Sequence, residues 1–537
     1  METFRDRLGQ FIRQALLPRI LTQACRDPFS RAHGCFDRDW WHYKIRDFPS
    51  LILQQAGYTL YTAQQAGLGP SFQDTCLIQA SCTFWADRVL RHGSLEEYYP
   101  WEDGYPPLAF STLAVAKLCL AGVVAAKPLE SSLRKTSRKL LHRWEHGALN
   151  QQVAGLAALA TLQRIDPSWV PSPAFDRIAR QTLAQQTPEG WFPEYGGPDL
   201  GYLSVTLDCL WDLYDCTGED RFLESATRAF GFIEEMTTPP FHGLGMHQAR
   251  NTDYLVPYGL CRFFSWSAPW PQRVSSLLHH IYSSEGPYGV SFQAVDDRYL
   301  CHYIGHSLVR AYSALPDSPR PNAPADSGAK MAAPPTAMAW EKAGLVRFSG
   351  TPAVQGCFFK GGTFTSVWAP GVWAADYGWV VQRQGRRWVS HGWSTAWRFQ
   401  LLPDGWEVSG HLFPCREILS SPWNHLLLRC CALLSGRHLI GWLKDRLIFK
   451  RSDHRFPYRR TLRKIGQTIE VEDWIGGALP TDRVAPAPRS SCRHVASADT
   501  WHREDAALTQ NVQRLSETTQ SKDGRRIHTR YVMGAAA

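Results

Sequence analysis

The sequence predicts a chain in two parts: an incomplete (α/α) toroid of helical hairpins, then an antiparallel β-sandwich. Three observations predict it. Polar, aromatic loops precede apolar helices near Phe110, Asn150, Tyr202, Tyr254 and Tyr299, at steps of about 40 to 50 residues, room for two helices and two loops each. Beyond Leu315 the composition turns to Pro, Ala and Ser. After that, short β-type runs alternate at period two between Gly, Asp and Pro breaks. Helical hairpins of this length stack into solenoids or close into toroids. Long, chemically rich loops favour the toroid, which gathers them round one funnel. The expected division is a toroid at 1–315, a linker or surface loop at 316–338, a sandwich at 339–478, and a polar, basic tail at 479–537. The tail is expected to be loosely ordered or to add a late edge strand.

At 537 residues the chain has room for several domains of roughly 150 residues each. Its 22 Trp, 19 Tyr and 25 Phe supply core packing first and, beside polar loops, faces on which sugars stack. The net charge of +9 suits an anionic partner: an acidic polysaccharide, nucleic acid or a membrane surface. No Lys/Arg block, P-loop or zinc-finger spacing appears, which argues against nucleic acid. No CxxC pair occurs among the 14 Cys. The opening METFRDRLGQFIRQALLPRI breaks every apolar run with a charge, unlike a signal peptide, and no run reaches the ~20 residues of a membrane span. A cytoplasmic protein with no integral membrane segment is expected, its cysteines reduced and acting as small buried hydrophobes.

Taken in order, Phe4, Leu8, Phe11, Ile12, Leu16 and Ile20 form one helical stripe. It docks on the body, with peripheral membrane contact through this helix as the alternative. The stretch DRDWWHYKIRDFP offers Trp40 and Trp41 for sugar stacking, with Lys44 or Arg46 on a carboxylate; a packed loop whose charges pair internally is the other reading. Pro49 opens a helix that Gly67 closes. A second aromatic, acidic loop, EEYYPWEDGYPPLAF, runs into STLAVAKLCLAGVVAA. WEHGALN then leads into QQVAGLAALATLQRI, whose small residues mark an inner helix.

The stretch EGWFPEYGGPDLGYLSVTLDCLWDLY is the most informative. Gly196, Gly197 and Pro198 forbid a regular element. Leu203, Leu207, Leu210, Trp211 and Tyr214 then fall at helical spacing. A loop bearing Glu194, Tyr195, Asp199 and Tyr202 is thereby held at the mouth of a helix, where chemistry tends to sit. Next come the outer helix EDRFLESATRAFGFIEEM and the loop HGLGMHQARNTDY, which brings His247, Arg250, Asn251 and Tyr254. His302 and His306 stand at i, i+4, a spacing that can grip a metal, but no third ligand is evident. They read as packed histidines, and neither a metal nor a cofactor is expected. The β-type runs include LVRFSG, YGWVVQRQG, WEVSGHLF, HLLLRCCALL, LIGWL, RLIFKR and TIEVEDWI.

A toroid followed by an antiparallel sandwich, in that order, resembles the heparinase II/III-like polysaccharide lyases. Those enzymes carry an Asn, often followed by His, at the start of an inner helix; here Asn150 starts NQQVAGLAALATL and Gln151 stands where His is usual. They next carry a loop of the form acid-Gly-x-x-x-Glu, then Ser and a Tyr opening the following helix. Here Glu189, Gly190, Glu194 and Tyr202 match, with extra residues before the tyrosine and Gly-Gly in place of the Ser region. The resemblance spans roughly residues 90 to 470. It implies β-elimination on a uronate-containing polysaccharide or oligosaccharide. Asn150 and Gln151 would neutralise the carboxylate. Tyr202 would be the base or acid, with Tyr195 as competitor. His247 would supply an imidazole, with His242 and His391 as rivals, and Arg250 would anchor the carboxylate. Glu194, Asn251 and Tyr254 would line the same funnel. The structural readings stand beside these: Asn150 as a helix N-cap, Tyr202 as packing. Other functions on the same scaffold are a glycoside hydrolase using Glu194, Asp199 and Asp208, a uronate epimerase, or a glycan-binding protein without catalysis.

Overall fold

The computed structural model describes residues 3–69, 75–238, 241, 244–252, 254–282, 295–316, 337–415, 421–447, 454–489 and 508–534. Six inner helices form the ring: α1 (Ala56–Gln65), α2 (Thr112–Leu120), α3 (Leu149–Ile165), α4 (Leu200–Thr217), α5 (Tyr258–Cys261) and α6 (Tyr303–Ala314). Each packs on the next, and α6 meets α1, so the ring that the sequence left open is joined. Outer helices Thr75–Arg88, Glu130–His142, Ser172–Leu183, Asp220–Thr237 and Trp270–Tyr282 alternate with them.

The two rings differ as their sequences do. α3 is buried on nearly every face, from Leu149 to Leu162 with only Gln151 partly open. Its Ala and Gly positions let neighbours approach: a Cβ on Gly155 would lie 2.5 Å from the Tyr105 hydroxyl. The outer helix Asp220–Thr237 instead buries one stripe, Phe222, Ala226, Ala229, Phe230 and Ile233. α4 ends at Gly218, whose φ of 70° is the left-handed turn that closes helices.

The N-terminal stripe lies on the toroid wall. Leu8, Ile12, Leu16 and Ile20 are buried, and Phe4 stacks on Tyr282 at 4.9 Å. The membrane contact read as its alternative therefore has no support, because the face it needs is covered. No described helix is long and apolar enough to cross a membrane.

The expected linker lies mostly outside the described residues. From there the strands are β1 (Ala337–Trp340), β2 (Leu345–Phe348), β3 (Ala353–Cys357), β4 (Thr363–Ala369), β5 (Val372–Asp376), β6 (Trp379–Arg383), β7 (Arg386–Val389) and β8 (Arg398–Leu402). They continue with β9 (Gly405–His411), β10 (Phe413–Cys415), β11 (Pro457–Ile465), β12 (Thr468–Gly476), β13 (Arg483–Pro486), β14 (Thr509–Gln510), β15 (Val512–Ser521) and β16 (Gly524–Met533). They pair antiparallel in three sheets: β1-β2-β3-β4-β5-β14, β10-β7-β6-β13 and β15-β16-β12-β11-β9-β8. Phe348, Phe364, Trp406, Leu462, Val471 and Ile527 share the core between them. The buried Arg460 guanidinium is matched there by Asp473 at 2.7 Å and Asp376 at 2.9 Å.

Two expectations need correction. HLLLRCCALL and LIGWL do not form strands; they lie in helix α7 (Pro422–Leu447), and most of RLIFKR falls outside the described residues. The run lacks β-branched residues from Pro422 to Leu439, and Ser421 accepts the Asn424 amide at 3.2 Å ahead of a first-turn proline. The tail, where described, is also more than a late edge strand. β15 does lie at an edge, but β16 sits inside the sheet between β15 and β12. Ile527, Thr529 and Tyr531 point inward from it at period two, an alternation masked by His528 and Arg530 between them.

Sandwich and toroid are joined directly. Arg347 on β2 donates to the carbonyls of Glu235 and Thr238 at the end of an outer helix, the latter at 2.7 Å. Glu189 accepts the amides of Lys342 and Ala343, both at 3.1 Å.

Candidate active site

The site grows from the loops that enter α3 and α4. Residue 148 meets Glu194 in an isolated antiparallel bridge, and the Tyr195 amide donates to the Gly147 carbonyl at 2.5 Å. Asn150 lies in the first turn of α3; Ala148, not Asn150, is the N-cap, so capping does not account for it. The Asn150 amide donates to Glu194 Oε1 at 2.7 Å, and its side-chain oxygen accepts the Gln151 amide at 2.7 Å. Asn150 is 2% exposed and Glu194 1%. The second Glu194 oxygen and the Gln151 side-chain oxygen have no hydrogen-bond partner among the described residues.

Asp199 caps α4. One of its oxygens accepts the Tyr202 amide at 3.0 Å and the other the Thr252 amide at 3.1 Å. The Gln248 side chain accepts the Leu200 amide at 2.7 Å. The segment from His247 to Thr252 is thereby fastened to the mouth of α4. Gly201 permits this closeness, since a Cβ there would lie 2.1 Å from the Thr252 methyl. Arg250 stacks its guanidinium over the Tyr195 ring at 4.1 Å. Asn251, at φ 63°, accepts from Lys360 of the sandwich.

Tyr202 sits in the first turn of α4 at 9% exposure. Tyr254, Tyr299, Tyr303 and Tyr98 surround it. Tyr254 and Tyr303 share a hydroxyl–hydroxyl bond of 2.7 Å. Tyr98 is exposed beside this cluster, and Glu97 and Glu102 are buried behind it.

Burial sets the charge states. It holds the Glu194 carboxyl well above the usual carboxylate range, against the Asn150 amide bond that lowers it; Asp199 nearby adds to the rise. Burial raises Asp199 to about 6, partly opposed by its two amide donors. Burial raises both Glu97 and Glu102 above the usual carboxylate range, and the nearby Glu102 charge adds to the rise of Glu97. Burial, with Lys360 next in weight, pushes His247 well below the ordinary imidazole range.

The structure thus brings Asn150, Gln151, Glu194, Tyr195, Tyr202, Arg250, Asn251 and Tyr254 into one constellation. His247 lies further in, wholly covered, stacked on Tyr377 at 5.0 Å, and both its ring nitrogens lack partners among the described residues. His391 meets the Tyr377 carbonyl at 2.9 Å. His242 lies outside the described residues. Trp41 donates to the Gln23 carbonyl at 2.8 Å, and Trp40 packs on Phe84 beneath Arg88; both indoles stay half-buried. Arg46 is engaged by Asp37 at 3.3 Å and by the Glu97 carbonyl, so it steadies the loop carrying Tyr98. His306 meets Gln55 at 3.4 Å, and His302 packs on Tyr299. Among the described residues no group of three or more His, Cys, Asp and Glu is placed to hold a metal.

Glu97, Tyr98, Tyr299, Tyr303 and Lys360 are neighbours that the sequence did not single out. The loop EEYYPWEDGY was visible as acidic and aromatic, but its approach to Tyr202 depends on the ring being joined. Trp393 is another: a Cβ on Gly197 would lie 1.9 Å from its indole, so the sandwich covers that glycine.

No family model matches the chain, and no curated protein does. Among solved structures it is similar to the chondroitin AC lyase of Streptomyces coelicolor A3 in complex with chondroitin sulphate, at 12% identity, covering 100% of this chain and 79% of that chain, with a TM-score of 0.47. It is also similar to a mutant of that lyase, with the same identity and coverage and a TM-score of 0.43. Neither is named a heparinase.

Proposed function

We propose that the chain is a carbohydrate-active enzyme that cleaves an acidic, uronate-containing polysaccharide or oligosaccharide by β-elimination. One observation carries the reading: a buried carboxyl with an unpartnered oxygen among the described residues, Glu194, whose burial favours the protonated form, lies against Asn150 beside the loop in which Arg250 stacks on Tyr195 and Asp199 accepts the Tyr202 amide. The reaction needs the uronate carboxylate neutralised before its C5 proton can leave. Protonated Glu194 and the Asn150 carboxamide are donors for that carboxylate, and Arg250 supplies the positive charge. Tyr202 stands in the first turn of α4, next to the Asp199 cap. It takes the C5 proton; the C4–O bond breaks, a C4–C5 double bond forms, and the proton passes to the leaving oxygen.

The hydrolase alternative fits less well. Both Asp199 oxygens are held by backbone amides, and Asp208 is buried down α4 against the Gly259 amide at 2.6 Å. The test is product chemistry. A lyase product absorbs in the ultraviolet, whereas hydrolase and epimerase products do not. Asn150→Ala and Tyr202→Phe are each expected to lower turnover by about 100-fold or more with melting temperature nearly unchanged. Early unfolding with activity per folded molecule intact would make both residues structural. Wild type that binds acidic glycans and leaves every one unaltered would make the protein a binder.

A further inference from the structure

The outer face of the largest sheet carries a feature that the site above does not use. Tyr458, Arg460 and Leu462 point from β11 into the core, so Arg459 points outward. The register sets Arg459 beside Trp474 on β12 and beside Ser409 on β9. Trp474 pairs in turn with Arg526 on β16, and Ser409 with Arg398 on β8. One cross-strand row therefore reads Arg398, Ser409, Arg459, Trp474, Arg526. It floors a cleft of about 680 Å³ that His411 also lines, within the size range of small-molecule and cofactor sites.

The row is built on a spacing. Its arginines stand on alternate strands, and strands lie about 4.8 Å apart, so successive Arg backbone positions are about 9.5 Å apart. That is the scale of a disaccharide. Arg398 and Arg459 have no ion-pair or hydrogen-bond partner among the described residues. Among the described residues Arg526 has only a loose, exposed contact with Glu472 at 3.8 Å. The half-buried Trp474 supplies a ring between two of the cations.

We infer that this row is a second, non-catalytic binding site for an acidic polysaccharide with one anionic group per disaccharide. The arginines pair with successive anionic groups and Trp474 carries a sugar face between them. Ser409 and Glu472 alongside suit a ligand rich in hydroxyls. An acid beside the row opposes a continuous phosphate track, which favours a glycan over nucleic acid. Ser394 and Ala396 are among the residues that line the cleft, and they follow Trp393 in the chain, the indole that covers Gly197 of the candidate active site. A long chain held here is thus kept close to that site, while a short one does not reach both. The ligand class rests on the function proposed above; the groove itself does not.

The experiment compares Asn150→Ala protein, chosen to hold turnover down, with the same protein also carrying Arg398→Ala, Arg459→Ala and Arg526→Ala. Binding of hyaluronan and of unsulphated chondroitin, each with one carboxylate per disaccharide, is measured by affinity electrophoresis and titration. Loss of three charge-assisted contacts is expected to weaken binding by about 100-fold. Trp474→Ala alone weakens it by a smaller factor. On the otherwise wild-type chain, the triple change leaves kcat on a tetrasaccharide unaltered and raises KM only for long chains. Equal retention of both proteins, with the melting temperature showing both folded, overturns the inference. So does tighter binding of single-stranded poly(dT) than of either glycan. If wild type turns over no glycan yet the triple change still abolishes retention, the lyase reading falls and this site stands.

Discussion

At the residue scale the decisive group is Glu194. Ordinary glutamates ionise near pH 4.5, but burial holds this one protonated well above that. A protonated carboxyl and a carboxamide offer the same kind of donor. Glu194→Gln is therefore expected to keep turnover within a few-fold of wild type between pH 6 and 8, about the range in which most enzymes are assayed. Glu194→Ala loses it. If instead the Gln variant is as dead as the Ala variant, and wild-type activity falls on acidification through the ordinary carboxylate range, Glu194 acts ionised and the neutralising role is wrong. The profile of kcat/KM against pH decides. Asn150, Glu194 and Tyr202 were legible from the sequence because each stands where a polar loop enters an apolar helix. The state of Glu194 was not, since desolvation depends on what the folded chain lays over it. For Trp40 and Trp41 the sequence showed indoles in a charged loop but not their fixings: one donates to a carbonyl and the other packs on Phe84.

At the scale of elements, the loop Glu194 to Asp199 is shaped by what it touches. Gly197 does not have a left-handed backbone; it is required because the Trp393 indole occupies the space of a side chain. Gly197→Ala is expected to cost about 1–3 kcal/mol and to lower activity. Trp393→Ala in the same chain should recover part of both, a coupling that a double-mutant cycle by chemical denaturation and assay would measure. Additive losses would mean that the two residues do not meet. Period-based reading served the helical hairpins and most strands well. It failed at Pro422–Leu447, where a run of leucines looked extended and the Ser-Pro start went unused. It failed again at β15–β16, where His528 and Arg530, set between the inward side chains of β16, hid the hairpin.

For the whole molecule, toroid and sandwich share the site, since Lys360 reaches Asn251 and Tyr377 backs His247. Arg347 is a chief fastening: it is 7% exposed and donates to two carbonyls at the end of an outer helix and to Gln355. Arg347→Met removes these bonds and leaves the carbonyls uncovered, at a cost of about 3 kcal/mol. Calorimetry is expected to show one wild-type transition split into two, the sandwich and toroid melting apart; a single transition merely shifted would place the coupling elsewhere. None of these pairings was visible in the sequence, because each joins segments that only the finished ring brings together. The meeting of α6 with α1 also bears on synthesis. The first staves of the barrel leave the ribosome long before the last, on the order of 250 residues later, and contacts so distant in sequence form slowly. Until that final stave arrives, the nascent arc leaves uncovered the greasy edges that the closed ring buries, and that is the interval in which the chain is most prone to stick to others.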